Sequence, residues 1–135
     1  MGGNGLINKL LLAFGLAFVL NFIWEYFHSF LYLHYRGGAI TMPVLLGAAI
    51  FDASFLAGLA LLFYKIEFFK KRLWTAWLIA IVFALILERY ALLTNRWAYN
   101  ELMPVVPIFE TGLTPTIQLA VLFYVVFRIV GAFVI

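Results

Sequence analysis

Cysteine is absent from the 135-residue sequence, and charged residues make up only 11% of it. The absence of cysteine excludes disulfides, thiol nucleophiles and metal sites built on thiolates. Soluble proteins carry about 25% charged residues, and a soluble fold of this length could not hide the 67% of residues that are apolar. No glycine-rich loop follows a predicted strand, so a nucleotide phosphate site is not expected.

The apolar residues fall into four runs, each near the roughly 20 residues that cross about 30 Å of hydrocarbon. We predict an all-α integral membrane protein, a single transmembrane domain over residues 1–135. Its fold is a four-transmembrane-helix bundle with a long, ordered outer loop between the third and fourth helices. The predicted helices cover residues 7–33, 42–64, 73–95 and 114–134.

The basic residues predict the orientation of the bundle. The loop between the second and third helices contains Lys65, Lys70, Lys71 and Arg72. The positive-inside rule places this loop in the cytoplasm. Both termini then lie in the cytoplasm, and the loop over residues 96–113 lies outside. Because the net charge of +3 is spread over helix ends, no nucleic-acid partner is expected.

Ionisable and polar residues inside membrane helices are costly and are candidates for function. Glu25, His28 and Glu88 are the candidate catalytic residues. Candidate ligand-binding residues lie in all four helices and the outer loop: Asn21, Trp24, Asp52, Arg89, Arg96, Trp97, Tyr99, Asn100 and Gln118. Helical spacing brings many of these side chains into the outer half of the bundle. The structural alternative is that they only hydrogen-bond helices together.

The spacing of Glu25 and His28 matches the Glu-x-x-His motif of di-iron helix bundles. Such sites use two motifs and two further carboxylates, whereas this chain has one motif. No metal or other cofactor is therefore predicted. A single metal held by Glu25, His28 and Glu88 is the less favoured alternative.

The outer loop carries a pattern of aromatic, asparagine, glycine and proline residues: Trp97-x-Tyr99-Asn100, then Gly112-Leu113-x-Pro115. This pattern resembles the lycopene-cyclase type of domain in carotenoid biosynthesis. The family has a Pro-x-Glu-Glu motif where this chain has Pro115-Thr116-Ile117-Gln118. The resemblance implies a small helical protein that acts on long isoprenoid hydrocarbons. The chain is otherwise similar to small polytopic proteins of prokaryotic membranes, which implies a location in the cytoplasmic membrane.

Three functions fit these patterns. The favoured one is binding of a lipid or isoprenoid-like apolar ligand in a polar pocket. If the protein is an enzyme, it is an isomerase or cyclase in which Glu25 or Glu88 serves as general acid or base. The second is a proton- or cation-coupled transporter or channel that assembles as a homo-oligomer through small residues on the second helix. The third is a membrane assembly factor without chemistry.

Overall fold

The computed structural model describes residues 3–133, and the chain is 74% helical. Four of its five helices are long and apolar enough to cross a membrane. α3 is a single turn between the second and third of them. The helices are α1 Gly3–His28, α2 Met42–Lys65, α3 Glu67–Lys70, α4 Trp74–Leu93 and α5 Leu113–Phe133. The predicted end of the last helix, residue 134, lies outside the described residues.

The prediction that the first helix continues to residue 33 is wrong. α1 ends at His28, a 3-10 turn covers Ser29–Leu31, and strand β1 follows at Tyr32–Tyr35. β1 pairs antiparallel with strand β2, Trp97–Tyr99. The all-α prediction therefore holds for the bundle but missed a two-stranded sheet. The apolar run after α1 forms a strand because of a tertiary contact. Its pairing partner, β2, lies more than 60 positions farther along the chain.

Strand pairing also shortens the third predicted helix. α4 ends at Leu93 rather than at residue 95. Asn95 then adopts a left-handed conformation with φ of 60°, which asparagine tolerates better than most residues. The backbone amide of Arg36 donates to the Arg96 carbonyl at 2.6 Å, and that of Asn100 donates to the Leu31 carbonyl at 2.9 Å. These bonds hold the small sheet across one end of the bundle, called the sheet end below.

Small side chains set the helix packing. α2 packs mainly against α1, and α4 packs mainly against α5. The fully buried alanines on these helices include Ala17, Ala49, Ala53, Ala80 and Ala91. Alanine lets helix backbones approach closely, which is the usual packing device where lipid removes the hydrophobic drive between helices.

The opposite end of the bundle, near α3, is filled with aromatic rings. The Phe63 ring lies 5.2 Å from that of Phe69 and 5.8 Å from that of Phe123. Phe63 and Phe123 are almost completely buried. Apolar packing therefore closes the α3 end, and the polar side chains lie toward the sheet end.

Candidate functional site

A cavity of about 610 Å³ lies between the helices at the sheet end. This volume is within the range of roughly 300–1,000 Å³ that small-molecule sites occupy. The apolar residues that line it from α2 include Val44, Ala48 and Phe51, and Asp52 of the same helix lines it too. The polar residues that line the cavity come from all four long helices and both strands: Glu25, His28, Ser29, Tyr32, His34, Tyr35, Asp52, Glu88, Tyr90, Arg96, Trp97 and Gln118.

The side chain of Gln118 connects three helices through one nitrogen atom. Its Nε2 donates to Oδ1 of Asn21 at 2.9 Å and to Oε1 of Glu25 at 2.9 Å. The same nitrogen lies 3.0 Å from Oδ2 of Asp52. Asn21 turns its oxygen toward Gln118 because its own Nδ2 donates to the Ala17 carbonyl at 2.7 Å. This arrangement, called the Gln118 cluster below, joins α1, α2 and α5.

His28 lies beside the cluster with its hydrogen-bonding capacity unused. Its side chain is 5% exposed, and its Nδ1 lies 3.4 Å from Oε2 of Glu25. That distance permits an ion pair, but neither ring nitrogen has an aligned hydrogen-bond partner. The ring packs edge-on against Tyr32 with centroids 4.8 Å apart. Because a buried polar atom without a partner is costly, His28 is a candidate for contact with a ligand.

Glu88 is the third buried carboxyl of the cavity. Its Oε2 accepts hydrogen bonds from Trp97 Nε1 at 3.0 Å and from the Tyr99 hydroxyl at 2.5 Å. β2 positions both donors, since Trp97 and Tyr99 alternate with Ala98 along the strand. Burial, and then the nearby negative charge of Glu88, raise the pKa of Tyr99. The Tyr99 phenol therefore stays protonated and keeps donating to the carboxylate.

The remaining predicted site residues lie farther from the centre of the cavity. Arg96 lines it, with its guanidinium 5.0 Å from the centre of the Tyr90 ring and donating to the Tyr90 hydroxyl at 3.2 Å. Asn100 instead fastens the sheet to α1 by donating to the Phe30 carbonyl at 2.6 Å. Arg89 does not line the cavity. Within residues 3–133, neither arginine forms an ion pair with a carboxylate.

Trp24 lines a second, smaller cavity of about 400 Å³ on the α1–α5 side. Its Nε1 is buried without a hydrogen-bond partner. The other lining residues are mostly apolar, such as Leu20 and Leu122, and His28 lies in the wall of both cavities. Trp24 therefore lines a cavity next to the main one, and His28, one turn farther along α1, separates the two.

The alternative of a metal held by Glu25, His28 and Glu88 gains no support from the geometry. Among residues 3–133, no group of three His, Asp or Glu side chains could hold a metal ion. Glu25 is engaged by Gln118, and one oxygen of Glu88 is engaged by two donors from β2. The carboxyls of Glu25 and Glu88 therefore accept hydrogen bonds from different parts of the fold, α5 and β2.

Sequence reasoning missed several residues of the wall. Tyr32 and Tyr35 line the cavity because they lie in β1, and the sequence placed that stretch in or just beyond a helix. Burial, followed by the charge of Glu88, raises the pKa of Tyr32. Phe51 and Ala84 are ordinary apolar residues of membrane helices, and only the packing of α2 and α4 gives them a role.

Comparison with known proteins assigns the chain to no family. The resemblance to lycopene-cyclase-type domains therefore rests on the loop pattern alone, and it stays a prediction. No protein-family model, curated protein or solved structure matches the chain.

Proposed function

We propose that the protein binds a lipid or isoprenoid-like apolar molecule in the cavity at the sheet end. The observation that carries this proposal is the combination of apolar and carboxyl groups around one cavity. Apolar side chains of α2 such as Val44 and Phe51 line it together with the carboxyls of Glu25 and Asp52. A ligand with a long apolar part and one polar end matches such a site.

Access from the lipid supports an apolar ligand. α2 and α4 meet through stacked rings, where the Phe83 ring lies 4.2 Å from that of Phe55 and 6.1 Å from that of Phe51. Exposed residues of both helices, Gly47 and Tyr90, line the cavity on this side. A hydrocarbon tail could pass between α2 and α4 into the bilayer without crossing water.

Acid–base chemistry on the bound molecule is the second part of the proposal. Glu25 and His28 lie 3.4 Å apart in the wall, close enough to exchange a proton through a small rearrangement. Glu88 faces the same cavity from α4 with its charge stabilised by Trp97 and Tyr99. A general acid and a general base beside one ligand would suit an isomerase or cyclase.

Transport across the membrane has less support. The polar side chains lie toward the sheet end, whereas Phe63 and Phe123 fill the bundle at the α3 end. A route through one protomer would have to open that apolar packing. Transport is therefore the alternative function that the experiment below would detect.

The test compares two glycines of α2. A Cβ atom at Gly47 or at Gly58 would meet nothing within 4 Å, but only Gly47 lines the cavity. Native mass spectrometry with lipid analysis, on protein purified in mild detergent, should find a stoichiometric ligand in the wild type and in Gly58→Trp. Gly47→Trp should lose it, because the indole occupies the cavity. Glu25→Gln and Glu88→Gln, with folding intact, should lose binding or turnover.

Two results would contradict the proposal. One is equal ligand retention by Gly47→Trp and Gly58→Trp, which would place the lipid outside the cavity. The other is a wild-type protein that retains no ligand, forms a defined oligomer and conducts protons in liposomes, which would favour the transporter.

A further inference from the structure

We infer that the polar end of the ligand is a neutral hydroxyl group, so that the site takes a long-chain alcohol. This inference rests on the proposed function and names the class of molecule that the cavity would hold. Three observations lead to it: the hydrogen-bond acceptors of the Gln118 cluster, the unused nitrogens of His28, and the distribution of charge around the cavity.

The Gln118 cluster brings several hydrogen-bond acceptors together. An amide nitrogen carries two hydrogens, and Nε2 of Gln118 faces three oxygens at 2.9–3.0 Å. The Asn21 oxygen cannot be exchanged for its amide group, because that group donates to the Ala17 carbonyl. The neighbouring carboxyls of Glu25 and Asp52 therefore share the other amide hydrogen and any proton that one of them retains. Each carboxyl oxygen can accept more than one hydrogen bond, so a ligand that donates a hydrogen bond finds free acceptors here.

His28 needs a partner that both donates and accepts. A neutral imidazole has one N–H donor and one nitrogen acceptor. Neither nitrogen has an aligned hydrogen-bond partner, although Nδ1 lies 3.4 Å from Oε2 of Glu25. A phosphate dianion or a carboxylate only accepts, and an ammonium group only donates. A hydroxyl does both, so it can serve His28 and the carboxyls beside it.

The charges around the cavity disfavour an anionic end. Three carboxyl groups line it, on Glu25, Asp52 and Glu88. The single lysine or arginine in the wall is Arg96, which is already directed at the ring and hydroxyl of Tyr90. An anion brought next to the buried carboxyls would be repelled at the low dielectric of the site.

The experiment uses a series of single-chain amphiphiles that share one isoprenoid tail and end in hydroxyl, phosphate, carboxylate or ammonium. Each is titrated into the full-length protein in nanodiscs of zwitterionic lipid, and binding is read by native mass spectrometry. We expect the alcohol to bind at least about tenfold more tightly than the charged members, since each charged end would leave a buried polar atom of the site without a partner.

Two variants locate the contact. His28→Phe should lose about tenfold in affinity for the alcohol. Ser54→Ala is the control, because Ser54 is a polar residue of α2 that lines neither cavity and donates to the Ile50 carbonyl of its own helix. The Ser54→Ala variant should keep the affinity. A readout that needs no variant is ¹⁵N NMR of the wild-type protein, in which the His28 ring nitrogens should shift when the alcohol is added.

The outcomes separate this inference from the proposed function. Tighter binding of the phosphate or carboxylate would overturn it and point to Arg96, and tighter binding of the ammonium would overturn it and point to the carboxyls. Unchanged His28 resonances on saturation with the alcohol would also overturn it. If no member of the series binds, the proposed function fails as well.

Discussion

Replacing Gln118 with leucine should destabilise the bundle by about 2–4 kcal/mol. The variant removes both amide hydrogens from a group of oxygens on α1 and α2. Two interhelical hydrogen bonds in a membrane are worth about 1 kcal/mol together, at roughly 0.6 kcal/mol each. The larger part of the predicted loss of stability comes from the oxygens of Asn21, Glu25 and Asp52. The variant leaves them without this donor, and each buried polar atom without a partner costs about 1–3 kcal/mol. Partial rearrangement keeps the total below the sum of these terms.

The measurement is reversible unfolding in mixed micelles, with the free energy of unfolding extrapolated to native conditions. Val121→Ala is the control, because Val121 lies on α5 with 42% of its surface exposed and should change stability by no more than about 0.5 kcal/mol. Asp52→Leu combined with Gln118→Leu should cost less than the two single changes added together, since both members of a pair are removed. A loss below about 0.5 kcal/mol in Gln118→Leu, or strict additivity with Asp52→Leu, would refute this reasoning.

Three further predictions concern the segment between α4 and α5 and its strand. Gly112→Ala should lower the free energy of unfolding by about 1–3 kcal/mol, because its methyl group would lie 2.8 Å from the sulfur of Met103; unchanged thermal stability would contradict this. Ile108→Gly should raise the stability by about 1 kcal/mol, since a β-branched residue is strained at φ of 74°; a lower melting temperature would oppose it. Because the pKa of Tyr99 is raised, the folded protein keeps the phenol proton at a pH where the unfolded chain has already released it. Stability should therefore fall as the pH rises beyond about 10, less steeply in Tyr99→Phe, and identical slopes in denaturant titrations would argue against it.

The helices could be predicted because length and apolar composition are local properties. α2 begins at Met42 as predicted and ends one residue later, at Lys65. Thr41 and Pro43 mark its start in the sequence, since proline suits the first turn of a helix. The spacing of Asn21, Glu25 and His28 places them on one face of α1, and that face meets Gln118 and the cavity.

The parts that could not be predicted depend on partners distant in the sequence. The run after His28 reads equally well as the end of a helix, and only β2 makes it a strand. Trp97 and Tyr99 are residue types that are typical of a membrane interface. Their hydrogen bonds to Glu88 could therefore not be predicted from residue type. The cavity itself is lined by residues of all four long helices and both strands, so no single segment encodes it.

The position of Gln118 in the chain has a consequence for biogenesis. Gln118 follows its partner Asn21 by 97 positions and Asp52 by 66, so it is synthesised after α1 and α2, the two helices that carry its hydrogen-bond partners. An acidic residue at the centre of an isolated membrane helix costs about 2.5–3.5 kcal/mol on insertion scales. We therefore expect α1 and α2 to stay beside the machinery until α5 supplies the missing hydrogens. A nascent chain stalled before α5 would expose unpaired carboxyls, a mark by which quality-control proteases could recognise it.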